Sequence, residues 1–300
     1  AAPDLWRELL DISTEAAKRG ARVFPQVAGR PFGMLLGLQT DINPFGSSPT
    51  FASLAPLPLA ERVARLRDPE IKKRILAECA AEPSMFYAQF GRIFQMGSPP
   101  NYEPGYEESI EAIAKASGRD PAEYLYDCML EREGRELFLV PVLNYSTLSA
   151  DPIREMMFHP NAVLGLGDGG AHCGIICDAS IQTFMLTHWV RDRSRGERIP
   201  LEFAIQRMTS DPARLYGLCD RGVLAPGFRG DLNIIDLDGL RLEAPEMIFD
   251  LPAGGKRFMQ RARGYRATVV AGEVTLENDE FTGALPGRLI RGARSAPSAV

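Results

Sequence analysis

The sequence predicts an α/β protein with a small β-rich C-terminal part, and three observations carry that prediction. Apolar strand-like runs alternate with helix-period segments up to about residue 218. The run Ala162-Val163-Leu164-Gly165-Leu166 empties into a glycine-rich turn, the usual end of a buried strand in a parallel sheet. After Gly222 the pattern changes to short alternating runs broken by Pro-Gly and Gly pairs. With 300 residues, 45% of them hydrophobic, the chain is long enough for about two packed domains at roughly 150 residues each.

Each element has its own signal. Residues 4–19 space Leu5, Leu9, Ile12 and Ala16 as a helix would and stop at Gly20. Residues 21–27 read as a strand ending at Gly29-Arg30-Pro31. Residues 32–66, rich in Gly, Pro and Ser with little periodicity, read as a long loop or insertion. Helices are expected over 68–81, 107–117 and 121–132, a strand over 136–145, a short helix over 151–158 and a strand over 162–166. A long amphipathic helix over 178–193 and helices near 200–208 and 211–217 follow, then strands at 231–236, 257–261, 267–271 and 273–277. That makes about three strand-plus-helix units, whereas a closed (β/α)8 barrel needs eight.

Composition excludes several classes. Thirty-four basic residues against 39 acidic ones leave a net charge of -5, so no electrostatic footprint for nucleic acid or an anionic membrane is present. No run reaches the roughly 18 to 20 apolar residues of a spanning helix, and the N-terminus, which begins at Ala1 without an initiator methionine, has no basic-then-apolar signal pattern. Five scattered cysteines (Cys79, Cys128, Cys173, Cys177, Cys219) suit reduced thiols and a cytoplasmic location better than a disulfide framework.

Chemistry concentrates at Gly165-Leu166-Gly167-Asp168-Gly169-Gly170-Ala171-His172. Glycines there let the backbone approach a ligand, and the C-terminal end of a parallel strand is where α/β enzymes place their sites. Asp168 suits a carboxylate that binds a metal and takes a proton from metal-bound water; the bland alternative is an aspartate capping its own turn. The same stretch also fits G-x-G-x-x-G, so a nucleotide-binding domain is a competing reading, although the next helix starts late and Asp192, the acidic residue at the right distance, falls on that helix. His172 either lines the site or pins the loop. His188 lies on the apolar stripe Ile181, Phe184, Met185, Trp189 and reads as a satisfied core histidine, and His159, ahead of the strand, reads as structural. Cys173 and Cys177 lack a second Cys/His pair and read as free thiols. The arginines of residues 189–198 read as a solvated helix end. Arg30, at the mouth of the first strand, is a candidate anion-binding residue facing the same site as Asp168.

Gly167-Asp168-Gly169-Gly170-Ala171-His172, then Thr209-Ser210-Asp211-Pro212-Ala213, then 220–232 with Val223-Leu224-Ala225-Pro226-Gly227 and Gly230-Asp231-Leu232, resemble in order and spacing the amidohydrolase superfamily, and within it the N-acyl-D-amino-acid deacylase (D-aminoacylase) group. Gly230 stands where the last motif usually has Ala. The closing Thr282-Gly283-Ala284-Leu285-Pro286-Gly287-Arg288 extends the resemblance to about residue 292. It implies a metal-dependent (β/α)8 (TIM) barrel hydrolase with a small composite β domain, acting on a non-peptide C–N amide bond. Asp168 would be metal ligand and general base, with zinc, one or two divalent ions, in the complete enzyme. The family's His-x-His pair is missing among the three histidines.

The chain therefore reads as a C-terminal portion of such an enzyme, inactive by itself and in need of the N-terminal half of the barrel. An alternative is a non-catalytic interaction fragment. The group's carboxylate-binding arginine is also missing, since the matching stretch is Asp178-Ala179-Ser180-Ile181; Arg30 is the substitute, and His172 the second substrate contact, for an N-acyl amino acid or related amide. The expected division is 1–218 barrel portion with an insertion at about 30–105, 219–292 small β domain, and 293–300 disordered tail.

Overall fold

A computed structural model of the protein describes residues 3–165, 167, 170 and 172–297. The chain opens with helix α1 (Leu5–Lys18), strands β1 (Gln26–Ala28) and β2 (Phe32–Leu36), helices α2 (Pro49–Leu54), α3 (Leu59–Leu66) and α4 (Pro69–Ala81), and strand β3 (Phe94–Gln95). Helices α5 (Ile110–Ala116) and α6 (Pro121–Met129) lead to strand β4 (Phe138–Leu143), helix α7 (Asp151–Phe158) and strand β5 (Val163–Gly165). Helix α8 (Ile181–Phe184) runs on as π-helical turns over Met185–Asp192, followed by α9 (Leu201–Met208) and α10 (Ser210–Leu215). The C-terminal part is β6 (Leu232–Ile235), β7 (Arg241–Leu242), β8 (Glu246–Leu251), β9 (Gly255–Met259), β10 (Ala262–Arg263), β11 (Tyr265–Val270), β12 (Glu273–Glu277) and β13 (Glu280–Phe281).

Local chemistry explains where the helices start. Asp68 and Asp120 each precede a proline and accept the first free backbone amides, Asp68 from Glu70 at 2.8 Å and Asp120 from Ala122 at 2.9 Å and Glu123 at 3.0 Å. Ser109 caps α5 through the Ala112 amide at 3.1 Å. The segment read as a loop over 32–66 instead holds β2, α2 and α3. Pro49 sits in the first turn of α2 and Pro58 at the N-cap of α3, where the missing N–H costs nothing, so the prolines taken as breakers are starters.

Two apolar cores organise these elements. One gathers β2, β3, β4 and helices α2 to α6 around Leu36, Ile75, Ile93, Phe138 and Val140, with Phe45 packed edge-on against Tyr126 at 5.3 Å. Here β4 is the middle strand of an antiparallel sheet in the order β2-β4-β3. The alternation of strands and helices therefore does not place β4 in a parallel sheet, because β2 and the helices cover its apolar run instead.

The other core joins β1, α7, β5, the Ile181–Asp192 helix and α9, and it takes in Leu240, Leu242 and Phe258 from the C-terminal strands. Strands β1 and β5 pair in parallel, Gln26 with Val163 through Ala28 with Gly165. Among the described residues no further strand joins them and no closed barrel is present. The apolar stripe of α1 faces solvent, with Leu9 56% and Ile12 64% exposed, while Leu10 and Ser13 turn inward. The C-terminal strands form an antiparallel sheet in the order β13-β12-β11-β6, flanked by the pairs β8-β9 and β10-β7. Arg294, in the segment expected to be disordered, bridges to Leu218, its amide donating to Gly217 at 2.7 Å. No helix among the described residues is long and apolar enough to cross a membrane.

Candidate active site

The loop after β5 carries the residues singled out from sequence. Asp168, the residue expected to be both metal ligand and general base, lies outside the described residues, as do Leu166, Gly169 and Ala171. Gly170 has φ +120, open to glycine and closed to other L residues. His172 adopts φ +50 and makes a turn in which its carbonyl accepts the amides of Ile175 at 2.8 Å and Ile176 at 3.0 Å. Its side chain is exposed on the same loop as Asp168 and makes no hydrogen bond to another described residue.

Three distant segments hold the loop. The Leu35 amide on β2 donates to Ile175 at 2.8 Å, the Asp41 amide to Gly174 at 3.1 Å, and the Phe258 amide on β9 to Cys173 at 2.9 Å. Asp41 also pairs with Lys256 at 2.7 Å, and Lys256 donates to the Gln39 carbonyl at 2.8 Å. A Cβ on Gly174 would stand 2.1 Å from the Asp41 carboxylate, so a larger residue there would push the Asp41 side chain aside. A cavity of about 320 Å³ lies against the loop, lined by Gly170, Cys173, Cys177, Ser180, Phe258 and Gln260.

Arg30 lies two residues past the end of β1, against this loop, and is 1% exposed. Its guanidinium donates to Asp178 at 2.7 Å, to the Ser180 hydroxyl at 3.0 Å and to the Cys177 carbonyl, and it stacks 3.9 Å from the centre of the Tyr102 ring. Burial works against its charge, but Tyr102 and Asp178 outweigh that and the guanidinium is held more firmly protonated than usual. A substrate carboxylate reaching Arg30 would have to replace Asp178. Tyr102 donates to Gln260 at 2.9 Å and Ser180 donates to the same side-chain oxygen, which ties β9 and the segment around residue 102 to the loop. Burial pushes the Cys177 thiol up to about 11, so it stays protonated near neutral pH, and all five cysteines are free.

The other histidines are occupied elsewhere. His159 meets the Thr14 hydroxyl at 3.1 Å and accepts the Asn161 amide at 3.3 Å, a structural role as expected. His188 stacks on Phe184 at 4.5 Å and meets the buried Glu103 carboxylate at 2.7 Å, as a satisfied histidine should. Among the described residues no group of three or more His, Cys, Asp or Glu side chains is placed to hold a metal ion. The described donor set does not fit a zinc site, which asks for three or four converging ligands.

The arginines of residues 189–198 form the expected solvated helix end only in part: Arg195 and Arg198 are exposed, Arg191 is half-buried and Arg193 is buried. Arg193 is fully buried and forks onto Glu103 at 3.0 and 2.9 Å and onto Asp151 at 2.7 Å. Arg195 donates to the Glu103 carbonyl at 2.8 Å and Arg191 to the Leu240 carbonyl at 2.8 Å. Loop carbonyls from distant segments converge there and need donors, a demand with no signature in local sequence. Glu103, Tyr102 and Gln260, the hubs of these networks, carried no signal of spacing either.

Residues 7–276 match the model of the Amidohydrolase family. No curated protein matches the chain. Among solved structures, the chain is similar to a crystal structure of D-aminoacylase described as defining a novel subset of amidohydrolases, with 22% identity, a TM-score of 0.35, and coverage of 66% of this chain and 37% of that one. It is also similar to a D-aminoacylase structure concerned with the functional role of the binuclear metal center, with 22% identity, a TM-score of 0.34, and coverage of 64% and 36%. The chain thus spans little more than a third of the length of these structures.

Proposed function

This chain belongs to the Amidohydrolase family, and from that premise we propose that it forms part of an enzyme hydrolysing a non-peptide C–N bond in a small amide, with N-acyl-D-amino acids as the substrate class. The observation that carries the reading is the family match running through the Asp168 loop, which follows a strand paired in parallel and is clamped from three sides. In this reading the Asp168 carboxylate takes a proton from water as the water oxygen bonds to the amide carbon, and returns it to the nitrogen as the C–N bond breaks. In the same reading His172, exposed on the same loop, donates to the substrate, and Arg30 contributes by holding Asp178 and Ser180 in place. Zinc in the working enzyme requires donors beyond those described.

Among the described residues β1 pairs with β5 alone, and this with the exposed Leu9, Ile12, Val23 and Phe24 supports a further half-barrel as the partner, since parallel strands are normally covered on both faces. The test is amine release from N-acetyl-D-methionine and N-acetyl-L-methionine by the chain alone and joined to the coding sequence upstream of it. Activity is expected in the longer form only, favouring the D isomer, and falling at least about 1000-fold in Asp168→Ala. Full activity in Asp168→Ala, or no amide turnover by the longer form, would remove the reading.

A further inference from the structure

A second cleft, of about 840 Å³, shares no lining residue with the cavity against the loop after β5 and lies where the segment around residues 98–101, the π-helical turns and β7 meet. Its walls carry Arg132, Arg191, Arg241, His188, Phe184 and Leu242. The two carboxylates on the walls are already claimed, Asp192 by Arg191 at 2.6 and 2.8 Å and Glu243 by Arg263 at 3.1 Å. Behind the wall Glu103 is ionised but matched by Arg193. Arg132 comes no nearer to a carboxylate than 3.9 Å, from Glu136, and the Arg241 side chain makes no hydrogen bond or ion pair with another described residue. The cleft therefore carries surplus positive charge.

Three features of the backbone aim that charge. Arg241 stands directly across from Arg263 in the β7-β10 pair, and because Glu243 is taken up by Arg263 it is not left to neutralise Arg241, whose guanidinium lines the cleft. Arg132 has φ +48 and its neighbour Glu133 φ +57, two successive left-handed residues without glycine, a strained turn of the kind that is retained where a side chain must be presented. The π-helical turns, in which the Arg193 amide reaches back to His188 at 2.8 Å, widen the helix where Thr187, His188 and Arg191 face the cleft. His188 is fixed by Glu103 and by its stack on Phe184, so this wall is preorganised and partly aromatic.

We propose that this cleft binds a small organic anion bearing an apolar group, its carboxylate against Arg132 and Arg241 and its apolar part against Phe184 and Leu242. Neither Asp168 nor His172 takes part, so the site stands or falls independently of the amide-hydrolysis reading. Isothermal titration of the whole chain with phenylacetate, acetate and 2-phenylethanol tests it. Phenylacetate is expected to saturate one site at least tenfold more tightly than either acetate or the alcohol. Arg132→Gln and Arg241→Gln, both at exposed positions, should each weaken it at least fivefold without moving the thermal midpoint, whereas Asp168→Asn should leave it unchanged. Failure of phenylacetate to saturate, equal affinity in both arginine variants, or loss of binding in Asp168→Asn would each overturn the proposal.

Discussion

Replacing Glu103 tests the account of the buried arginine cluster. The Glu103 carboxylate is almost fully buried, accepts the Arg193 fork, the Ala150 amide at 3.0 Å and His188, and has its pKa held at about 2 instead of the ordinary 4.5. Burial alone would raise that value; the hydrogen bonds from His188 and Arg193 outweigh it. The gap between 4.5 and about 2, at about 1.4 kcal/mol per pH unit, corresponds to about 3 kcal/mol of stability. Because the folded value is depressed, that stability is fully present above about pH 4.5 and is lost as pH falls toward 2. Glu103→Ala also leaves Arg193 buried with, among the described residues, only the exposed Asp151 as a charged partner beside the Glu197 carbonyl, a change of about 3 to 5 kcal/mol against a typical total of about 5 to 15. Urea denaturation at pH 7 and at pH 3, for the native chain, Glu103→Gln and Glu103→Ala, reads both effects. A loss under about 1 kcal/mol in Glu103→Ala at pH 7, or a difference between native chain and Glu103→Gln that does not shrink at pH 3, refutes the reasoning.

Two further outcomes are expected. Arg30→Lys should lower stability by about 2 to 4 kcal/mol in a thermal melt, because an ammonium cannot serve Asp178, Ser180 and the Cys177 carbonyl together or reproduce the stack on Tyr102; an unchanged midpoint would show that the network is dispensable. Thiol titration at pH 8 should modify the exposed Cys219 quickly, while Cys128 and Cys177, each pushed up to about 11 by burial, react only on unfolding; rapid modification of Cys177 in the folded protein would contradict its placement.

Elements set by neighbouring residues were legible in the sequence. The helix expected over 151–158 is α7 and the strand expected over 273–277 is β12, because periodicity and flanking turn residues are local. The Asp-Pro start of α6 is likewise written in two residues. Pairing partners were not legible. The apolar run of β4 looks the same whether it will lie beside a parallel strand or between β2 and β3, and only the helices packed over it decide. At the candidate active site the glycines and His172 announced themselves, whereas Gln260 and Tyr102, which brace the loop, sit in stretches that carry no motif. Arg30 was noticed for its place at a strand end, but its partners Asp178 and Ser180 lie about 150 positions away and no pattern in sequence joins them.

The clamps on the loop after β5 also bear on how the protein folds. Arg30 and Asp178 are 148 positions apart, and Lys256 and Gln39 are 217 apart. Closing such spans costs chain entropy before any contact rewards it, and folding slows as the mean separation of contacting residues grows. The full set of contacts on residues 173–175 therefore needs both the β2 to β4 unit and the β8-β9 hairpin to be in place. A nascent chain that has not yet released β9 from the ribosome has every residue of that loop and none of its C-terminal supports.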